Sequence, residues 1–280
     1  MNATPRSWSL FLFVLGCAAP APAVTPMTPP PTPPPTSALD LTGLPPGGLV
    51  MLGDLHGTQE IPAFVGEVVT AVAAREPVVL ALEMPRQLGP SLDAYVASDG
   101  GPAARKTLVT GPWWEDDYQD GRRSHALVAL IETARTLRAA GRKVALAAID
   151  DEVKDSELRE QAMATHVIEV REAHPAGAVI VYAGNLHTSR LEVGFRPGFA
   201  WMAMRVAAAG LPFVNLDPRW SAGTAWICQD AVAVNCGVKD VKGHEPARGI
   251  RIERIKDGAY DGWFGVGPVS ASPPAHQPVR

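Results

Sequence analysis

Cysteine is scarce in this sequence, with three cysteines among 280 residues, and neither sign of charge is in large excess. Lysine and arginine number 25 against 29 aspartates and glutamates, which gives a net charge of −4. The lack of a basic excess argues against a nucleic-acid partner. No apolar run reaches the roughly 20 residues of a membrane-spanning helix. The hydrophobic content of 46% is that of an ordinary globular protein with a sizeable core.

The first residues have the order of a bacterial lipoprotein signal. Arg6 precedes the apolar stretch LFLFVLG, and the residues VLG stand directly before Cys17. We therefore predict a lipoprotein signal peptide over residues 1–17 with a lipid on Cys17. The alternative is a plain secretory signal with an incidental cysteine. Alanines rather than acidic residues follow Cys17, which favours the outer membrane of a Gram-negative cell envelope.

Composition divides the rest of the chain into three segments. Residues 18–38 are rich in proline, which predicts an extended, semi-rigid stalk. The folded domain is predicted over residues 39–265. Residues 266–280 are rich in Gly, Pro and Ser, and this composition predicts a disordered tail.

Two cysteines remain once Cys17 is assigned to the lipid. Cys228 and Cys236 lie at the two ends of the segment CQDAVAVNC. An oxidising envelope compartment favours a disulfide between them. The alternative is a pair of buried thiols that never meet.

Short apolar runs alternate with helical patterns along most of the domain. The runs lack internal alternation, as is typical of strands covered on both faces. The predicted strands are 49–52, 78–82, 144–149, 179–182 and 213–216. This order predicts an α/β fold with a mostly parallel central sheet flanked by helices. Two further runs, 227–234 and 249–255, predict a short antiparallel C-terminal extension.

Polar residues that can carry chemistry stand at the ends of several predicted strands. Asp54 and His56 follow the first strand, Glu83 ends the second, and Asn185 and His187 follow the fourth. Each alone could cap a local turn, but ligands of α/β sheets bind beyond these strand ends. The first and fourth strands share the ending Gly-x-x-His, where glycine keeps the space above the strand open. Since ligand bonds measure about 2.0–2.2 Å, we expect at least two of His56, Glu83 and His187 within about 5 Å of each other.

The order and context of these motifs resemble a known superfamily. The segments MLGDLHGTQE, LALEMPRQLGPSLDAYV, LREQAMA and YAGNLH are similar to those of ChaN-type haem-binding lipoproteins, Tiki and TraB proteins, and erythromycin esterases. The resemblance covers about residues 48–210. The first motif of that group is usually Gly-Glu-x-His, and here Asp54 replaces the glutamate.

The resemblance implies two versions of a hydrolytic site. In the Tiki-like version, His56, Glu83 and His187 bind one divalent ion, Zn, Mn or Co, which would acidify a bound water. In the esterase-like version, His56 is a general base on water, helped by carboxylates, and needs no metal. Arg159 is predicted to orient Glu83 or to hold a substrate carboxylate. The predicted catalytic residues are His56, Glu83, His187, Asp54, Glu60, Arg159 and Asn185.

The ChaN-type resemblance implies a different function, haem binding in iron uptake without catalysis. Tyrosine or histidine commonly binds the haem iron in such proteins, and Tyr118 is the tyrosine best placed for an exposed haem site. A catalytically inactive envelope module is a third possibility. The sequence thus predicts a lipid-anchored envelope protein with a hydrolase-like site for an unknown small molecule or peptide. Haem binding is the alternative.

Overall fold

The computed structural model describes residues 39–230, 232–244 and 247–276. The predicted signal peptide, Cys17 and the proline-rich stalk lie outside the described residues. Within those ranges, no helix combines the length and the apolar character needed to cross a membrane.

The described residues form nine strands and six α-helices. The strands are β1 (Leu49–Asp54), β2 (Val78–Pro85), β3 (Val144–Asp150), β4 (Ala178–Gly184), β5 (Val214–Arg219), β6 (Ala222–Cys228), β7 (Cys236–Lys242), β8 (Gly249–Arg251) and β9 (Gly262–Gly265). The helices are α1 (Glu60–Ala73), α2 (Gly89–Val96), α3 (Pro102–Leu108), α4 (His125–Ala139), α5 (Ser156–Ala173) and α6 (Met202–Ala208).

Seven of these strands form one central sheet in the order β3-β2-β4-β1-β5-β9-β8. All neighbours in this sheet are parallel except β8 and β9, which are antiparallel. Strands β6 and β7 pair as a separate antiparallel hairpin. The predicted α/β fold with a mostly parallel sheet and a small antiparallel C-terminal extension is therefore confirmed.

Both faces of the sheet are covered, which explains why its strands lack polar alternation. Val50 and Leu52 of β1 pack into a core shared with α1 and α4. Leu49 and Met51 point the other way, into a second core shared with α5 and α6. The alternation of side chains along β1 thus places apolar residues on both faces of the sheet, and the one polar residue of this strand, Asp54, stands at its end.

The predicted strand over residues 227–234 is wrong. Strand β6 ends at Cys228, residues 233–235 form a short 3₁₀ turn, and β7 begins at Cys236. Cys228 and Cys236 face each other in the hairpin register and are joined by a disulfide. The apolar run therefore divides into a strand end and a turn, because hairpin pairing decides where the chain reverses.

The predicted disordered tail is also wrong for residues 266–276. Val269 is buried, and its N–H donates to the carbonyl of Ala222. The Ser272 N–H donates to the carbonyl of Gly57, close to the first histidine motif. Backbone pairing with distant segments orders this Gly-, Pro- and Ser-rich stretch, and composition alone does not reveal such partners. Residues 277–280 lie outside the described residues.

Candidate functional site

The two Gly-x-x-His motifs emerge from neighbouring strands. Strands β1 and β4 are parallel, with Gly53 opposite Ala183 and Asp54 opposite Gly184. Strand β2 lies on the other side of β4 and carries Glu83 near its end. Three adjacent strands therefore deliver two histidines and one glutamate to the same edge of the sheet.

Five side chains form a row in which carboxylates and imidazoles alternate. Asp54 Oδ2 lies 2.7 Å from His56 Nδ1, and His56 Nε2 lies 3.6 Å from Glu83 Oε2. Glu83 Oε1 lies 3.4 Å from His187 Nε2, and His187 Nδ1 lies 2.7 Å from Glu160 Oε1. The expected approach of His56, Glu83 and His187 to within about 5 Å is met. The five side chains, Asp54, His56, Glu83, His187 and Glu160, are called the strand-tip row below.

Each end of the strand-tip row holds the Nδ1 atom of a histidine with a buried carboxylate. Asp54 and Glu160 are 7% and 2% exposed. The other Glu160 oxygen accepts the Met202 N–H at 2.8 Å, which fixes the carboxylate against the start of α6. Such partners set the orientation and tautomer of an imidazole, and both Nε2 atoms are thereby directed towards Glu83.

Two arginines pack against the centre of the row. Arg159, from the first turn of α5, donates to Glu83 Oε1 at 2.7 Å and to Asp150 at 3.0 Å. Arg122 lies 3.6 Å from Glu83 and donates to Asp120 at 2.9 Å. The predicted orienting contact of Arg159 with Glu83 is present in the structure.

Glu83 is an anion in this setting. Burial alone would raise the pKa of its carboxyl, but the charges of His187, His56 and Arg159 outweigh burial and hold that pKa well below its usual range. The Gly184 N–H also donates to Glu83 Oε2 at 2.7 Å, which stabilises the charged form further.

Both histidines of the row bind protons more tightly than usual. Burial lowers the pKa of His187, but Glu83 and Glu160 outweigh this effect and raise that pKa to about 9. Burial likewise opposes protonation of His56, and the charges of Asp54 and Glu83 raise its pKa above the ordinary value of 6.5. At neutral pH His187 is therefore an imidazolium.

A small cavity of about 20 Å³ lies beside His56, and its walls include Asp54, Glu83 and Tyr182. Asp54 Oδ1 and the Tyr182 hydroxyl are buried, and neither makes a hydrogen bond of good geometry among the described residues, although the Asp54 carboxylate acts on the hydroxyl as a nearby acceptor. Burial, followed by the charge of Asp54, raises the pKa of Tyr182 well above its usual range, so this hydroxyl stays protonated. The cavity has room and polar partners for one water molecule.

Three predicted site residues have other roles or positions. Glu60 accepts hydrogen bonds from the Ser270 N–H and hydroxyl, and so ties the C-terminal segment to α1. Asn185 contributes its backbone N–H to the carbonyl of Asp54. The Tyr118 hydroxyl donates to the carbonyl of Asp230, at the disulfide-linked hairpin rather than in the row. The haem hypothesis for Tyr118 stays a prediction.

Sequence reasoning missed several residues of the site: Glu160, Arg122, Asp120 and Tyr182. Glu160 directly follows Arg159 in the segment LREQAMA, so its position in that motif was an available signal. Arg122 and Asp120 lie in a loop outside the helices and strands, and no pattern of spacing connects them with the strand ends.

The donor set of the row does not fit a divalent metal. Glu83 Oε1 already accepts from Arg159, and Glu83 Oε2 accepts from the Gly184 N–H. The guanidinium groups of Arg159 and Arg122 also place positive charge beside Glu83, where an ion bound with His56 and His187 would lie. Across the described ranges, no three His, Cys, Asp or Glu side chains converge as metal ligands.

Removal of metal is expected to leave hydrolysis by this site unchanged. The reason is that arginines already supply the positive charge that a metal would add. Activity and bound Zn, Mn and Co should be measured before and after dialysis against a chelator. One equivalent of metal lost together with activity, and activity restored by adding the metal back, would contradict this expectation.

The fold is similar to solved structures at low sequence identity. A succinoglycan biosynthesis protein aligns with a TM-score of 0.59 and 11% identity, over 80% of this chain and 88% of that chain. A protein from Bacillus cereus aligns with a TM-score of 0.58 and 13% identity, over 82% and 90% of the two chains. An erythromycin esterase mutant in its open conformation aligns with a TM-score of 0.53 and 12% identity, over 82% and 92%.

No family model and no curated protein matches the chain. At 11–13% identity the structural likeness shows a shared fold and nothing finer. The chain therefore shares its fold with an erythromycin esterase, and membership of the superfamily named above stays a prediction. Lipid attachment and haem binding remain predictions.

Proposed function

We propose that the protein is a metal-independent hydrolase in which His56 activates water against an ester or amide carbonyl. The strand-tip row carries this proposal, because Asp54 holds His56 Nδ1 at 2.7 Å and leaves Nε2 directed into the site. When a buried carboxylate accepts the proton on Nδ1, the imidazole keeps the tautomer in which Nε2 is free to accept a proton. The fold shared with an erythromycin esterase also supports hydrolysis.

The nucleophile is a water molecule in the small cavity beside His56. Asp54 Oδ1 accepts one of its hydrogens and the Tyr182 hydroxyl donates to its oxygen, which gives partners to both orphaned atoms. The water oxygen bonds to the carbonyl carbon of the substrate, and its proton moves to His56 Nε2. A neutral imidazole is required for this step.

His187 is the general acid in this scheme. Its raised pKa keeps it protonated at neutral pH, and its Nε2 is on the side of the site that faces Glu83. When the bond between the carbonyl carbon and the leaving group breaks, the leaving atom takes the proton of His187. His56 then holds one extra proton and His187 lacks one, and exchange with solvent restores both.

Glu83 stays ionised and positions both histidines. Its two oxygens face His56 at 3.6 Å and His187 at 3.4 Å, while Arg159 holds the carboxylate in place. Glu83 stabilises the imidazolium form of each histidine. It therefore stabilises His56 after that residue has taken a proton from water, and His187 before that residue gives its proton to the leaving group.

The rate of hydrolysis should follow a bell-shaped dependence on pH. The acid limb reports the pKa of His56, which lies above 6.5, because kcat/KM rises as this base loses its proton. The basic limb reports the pKa of His187 near 9, because kcat/KM falls once this acid is neutral.

Replacing Asp54 by asparagine tests the assignment of the acid limb. The substitution removes a negative charge that raises the pKa of His56, so the acid limb of kcat/KM should move to lower pH. The basic limb should move less, since Glu160 and Glu83 still face His187. Asp93→Asn, on the exposed side of α2, is the matched control and should leave both limbs in place. If the acid limb of kcat/KM lies at the same pH in Asp54→Asn as in the parent, the role of His56 as the base is contradicted.

We also propose that the domain is held at the outer membrane by a lipid on Cys17, as the residues VLG before this cysteine predict. Cys17→Ser should release the protein from membranes when it is expressed in a Gram-negative host and the cells are fractionated. Ala18→Ser is the neighbouring control and should remain in the membrane fraction. Equal retention of Cys17→Ser and the parent would argue against the lipid.

A further inference from the structure

A second, larger cavity of about 360 Å³ borders His187. This volume lies within the range of small-molecule sites, about 300–1,000 Å³. Arg122 and His187 link it to the strand-tip row, and Arg122 also borders the small cavity beside His56. A substrate held in the larger cavity therefore lies next to the proposed general acid, His187, and Arg122 is the residue that this cavity shares with the cavity proposed for the water.

The ionisable lining of this cavity is mostly basic. Four basic side chains, Arg122, Lys154, Arg159 and Arg196, line it together with two acidic ones, Glu152 and Glu160. Glu160 has both oxygens engaged, one by His187 and the other by the Met202 N–H. Glu152 is thus the one carboxylate of this described lining that a ligand meets directly.

Lys154 and Arg196 differ from the other two cations. Arg122 and Arg159 are paired with Glu83 and with aspartates of the site. By contrast, no carboxylate oxygen of the described residues lies within 4.0 Å of Lys154 or Arg196. Two cations at the edge of a catalytic cavity are therefore available to a ligand.

Aromatic contacts connect Arg196 with the strand-tip row. The Arg196 guanidinium lies 3.7 Å from the centre of the Phe199 ring. Phe199 packs edge-on against Trp201 at 4.7 Å, and Trp201 packs edge-on against His187 at 5.9 Å. Arg196 is exposed, and this stack sets the position of its guanidinium relative to the general acid.

The start of α5 also borders this cavity but adds no preference for negative charge. Ser156, the first residue of this 18-residue helix, lines the cavity. Asp155 already caps the helix, since its Oδ1 accepts the Leu158 N–H at 3.0 Å, and Glu157 places a second carboxylate in the first turn. These acids offset the partial positive charge of the helix start, so the preference for an anion rests on Lys154 and Arg196.

We propose that the substrate carries an anionic group, a carboxylate or a phosphate, which binds in this cavity between Lys154 and Arg196. The proposal rests on the hydrolytic function proposed above, because it names the class of substrate for that site. Glu152 opposes the anion and moderates its affinity.

Two acetyl esters that differ in charge test the proposal on the full chain. The acetyl ester of 4-hydroxybenzoate carries a carboxylate, whereas the acetyl ester of methyl 4-hydroxybenzoate is neutral and nearly the same shape. The parent should prefer the charged ester in kcat/KM. Lys154→Gln and Arg196→Gln should each lower this preference about tenfold, the effect of losing one charged hydrogen bond. Glu152→Gln should increase it, and this opposite sign separates electrostatics from damage to the fold.

Binding to a catalytically inactive variant separates the two proposals. In His56→Gln, calorimetry with benzoate and with inorganic phosphate should show which anion binds, and the Lys154→Gln/Arg196→Gln background should remove that binding. Anion binding that depends on both residues, without hydrolysis of either ester by the parent, upholds the anion site and overturns the hydrolase. The opposite outcome is that the parent hydrolyses the esters, while Lys154→Gln, Arg196→Gln and Glu152→Gln all keep its preference for the charged ester. That outcome would overturn the anion site and uphold the hydrolase.

Discussion

Replacing His56 by glutamine is expected to lower kcat/KM for hydrolysis by about 10²- to 10⁴-fold, the usual contribution of a general base. The glutamine amide can still donate to Asp54 Oδ2, which lies 2.7 Å from His56 Nδ1 in the structure. It cannot accept a proton from water. The substitution therefore removes the chemistry and keeps the local hydrogen bond.

The control for this loss is a histidine outside the site. His174 lies at the end of α5 and is exposed, and its side chain bonds only to the Val170 carbonyl within the described residues. His174→Gln should keep the activity of the parent. Thermal unfolding of all three proteins should show that His56→Gln stays folded, within about 1–3 kcal/mol of the parent, the usual effect of altering a buried hydrogen bond. Activity of His56→Gln within a few-fold of the parent would remove His56 from the mechanism.

The sequence alone predicted the centre of the site, because the positions of strand ends can be read from the apolar runs. Apolar runs fixed the strands approximately, and polar residues directly after them had to meet at one edge of a parallel sheet. The pairing of β1 with β4 was the missing fact, since it places the two histidine motifs side by side. The sequence showed the repeated motif but did not indicate which strands are neighbours in the sheet.

The parts that escaped prediction depend on contacts between distant segments. Arg122 reaches Glu83 from a loop 39 positions later in the chain, and its neighbour Asp120 has no spacing relation to any strand. The C-terminal segment is ordered by backbone bonds to Gly57 and by the contact between Ser270 and Glu60. Local composition indicates which conformations a segment prefers. It does not indicate which distant segment will bind it and so offset the conformational entropy lost when it becomes ordered.

The aspartate at position 54 also has a structural explanation. A glutamate is usual at this place in the resembling superfamily, and the shorter side chain has less reach. In this protein the carboxylate needs to reach only His56, two residues away, and does so at 2.7 Å. Aspartate is therefore long enough to orient the base, and its second oxygen borders the cavity proposed for the water.

Replacing Gly184 by alanine should cause the second large loss of activity. A Cβ atom at this position would lie 2.9 Å from His56 Nε2, 3.4 Å from Glu83 Oε2 and 3.4 Å from His187 Cδ2. The methyl group thus enters the space that the base, the acid and Glu83 share. Because Asp54 holds the other side of the His56 ring, the ring must shift, and displacement of about 1 Å in a catalytic group costs about 10²-fold in rate.

The neighbouring strand offers a matched comparison. A Cβ at Gly53 would meet Pro218 Cδ at 2.8 Å and Asn185 Cβ at 3.0 Å, so it crowds the same sheet edge without entering the space between the histidines. Gly53→Ala and Gly184→Ala should both lower the free energy of unfolding by about 1–3 kcal/mol, as overpacking does. Only Gly184→Ala should also lose about 10²-fold in kcat/KM at a temperature where both proteins are folded. Equal losses of activity in the two variants would mean that the glycine at the end of β4 serves packing alone, and that the space above it is not where the reaction takes place.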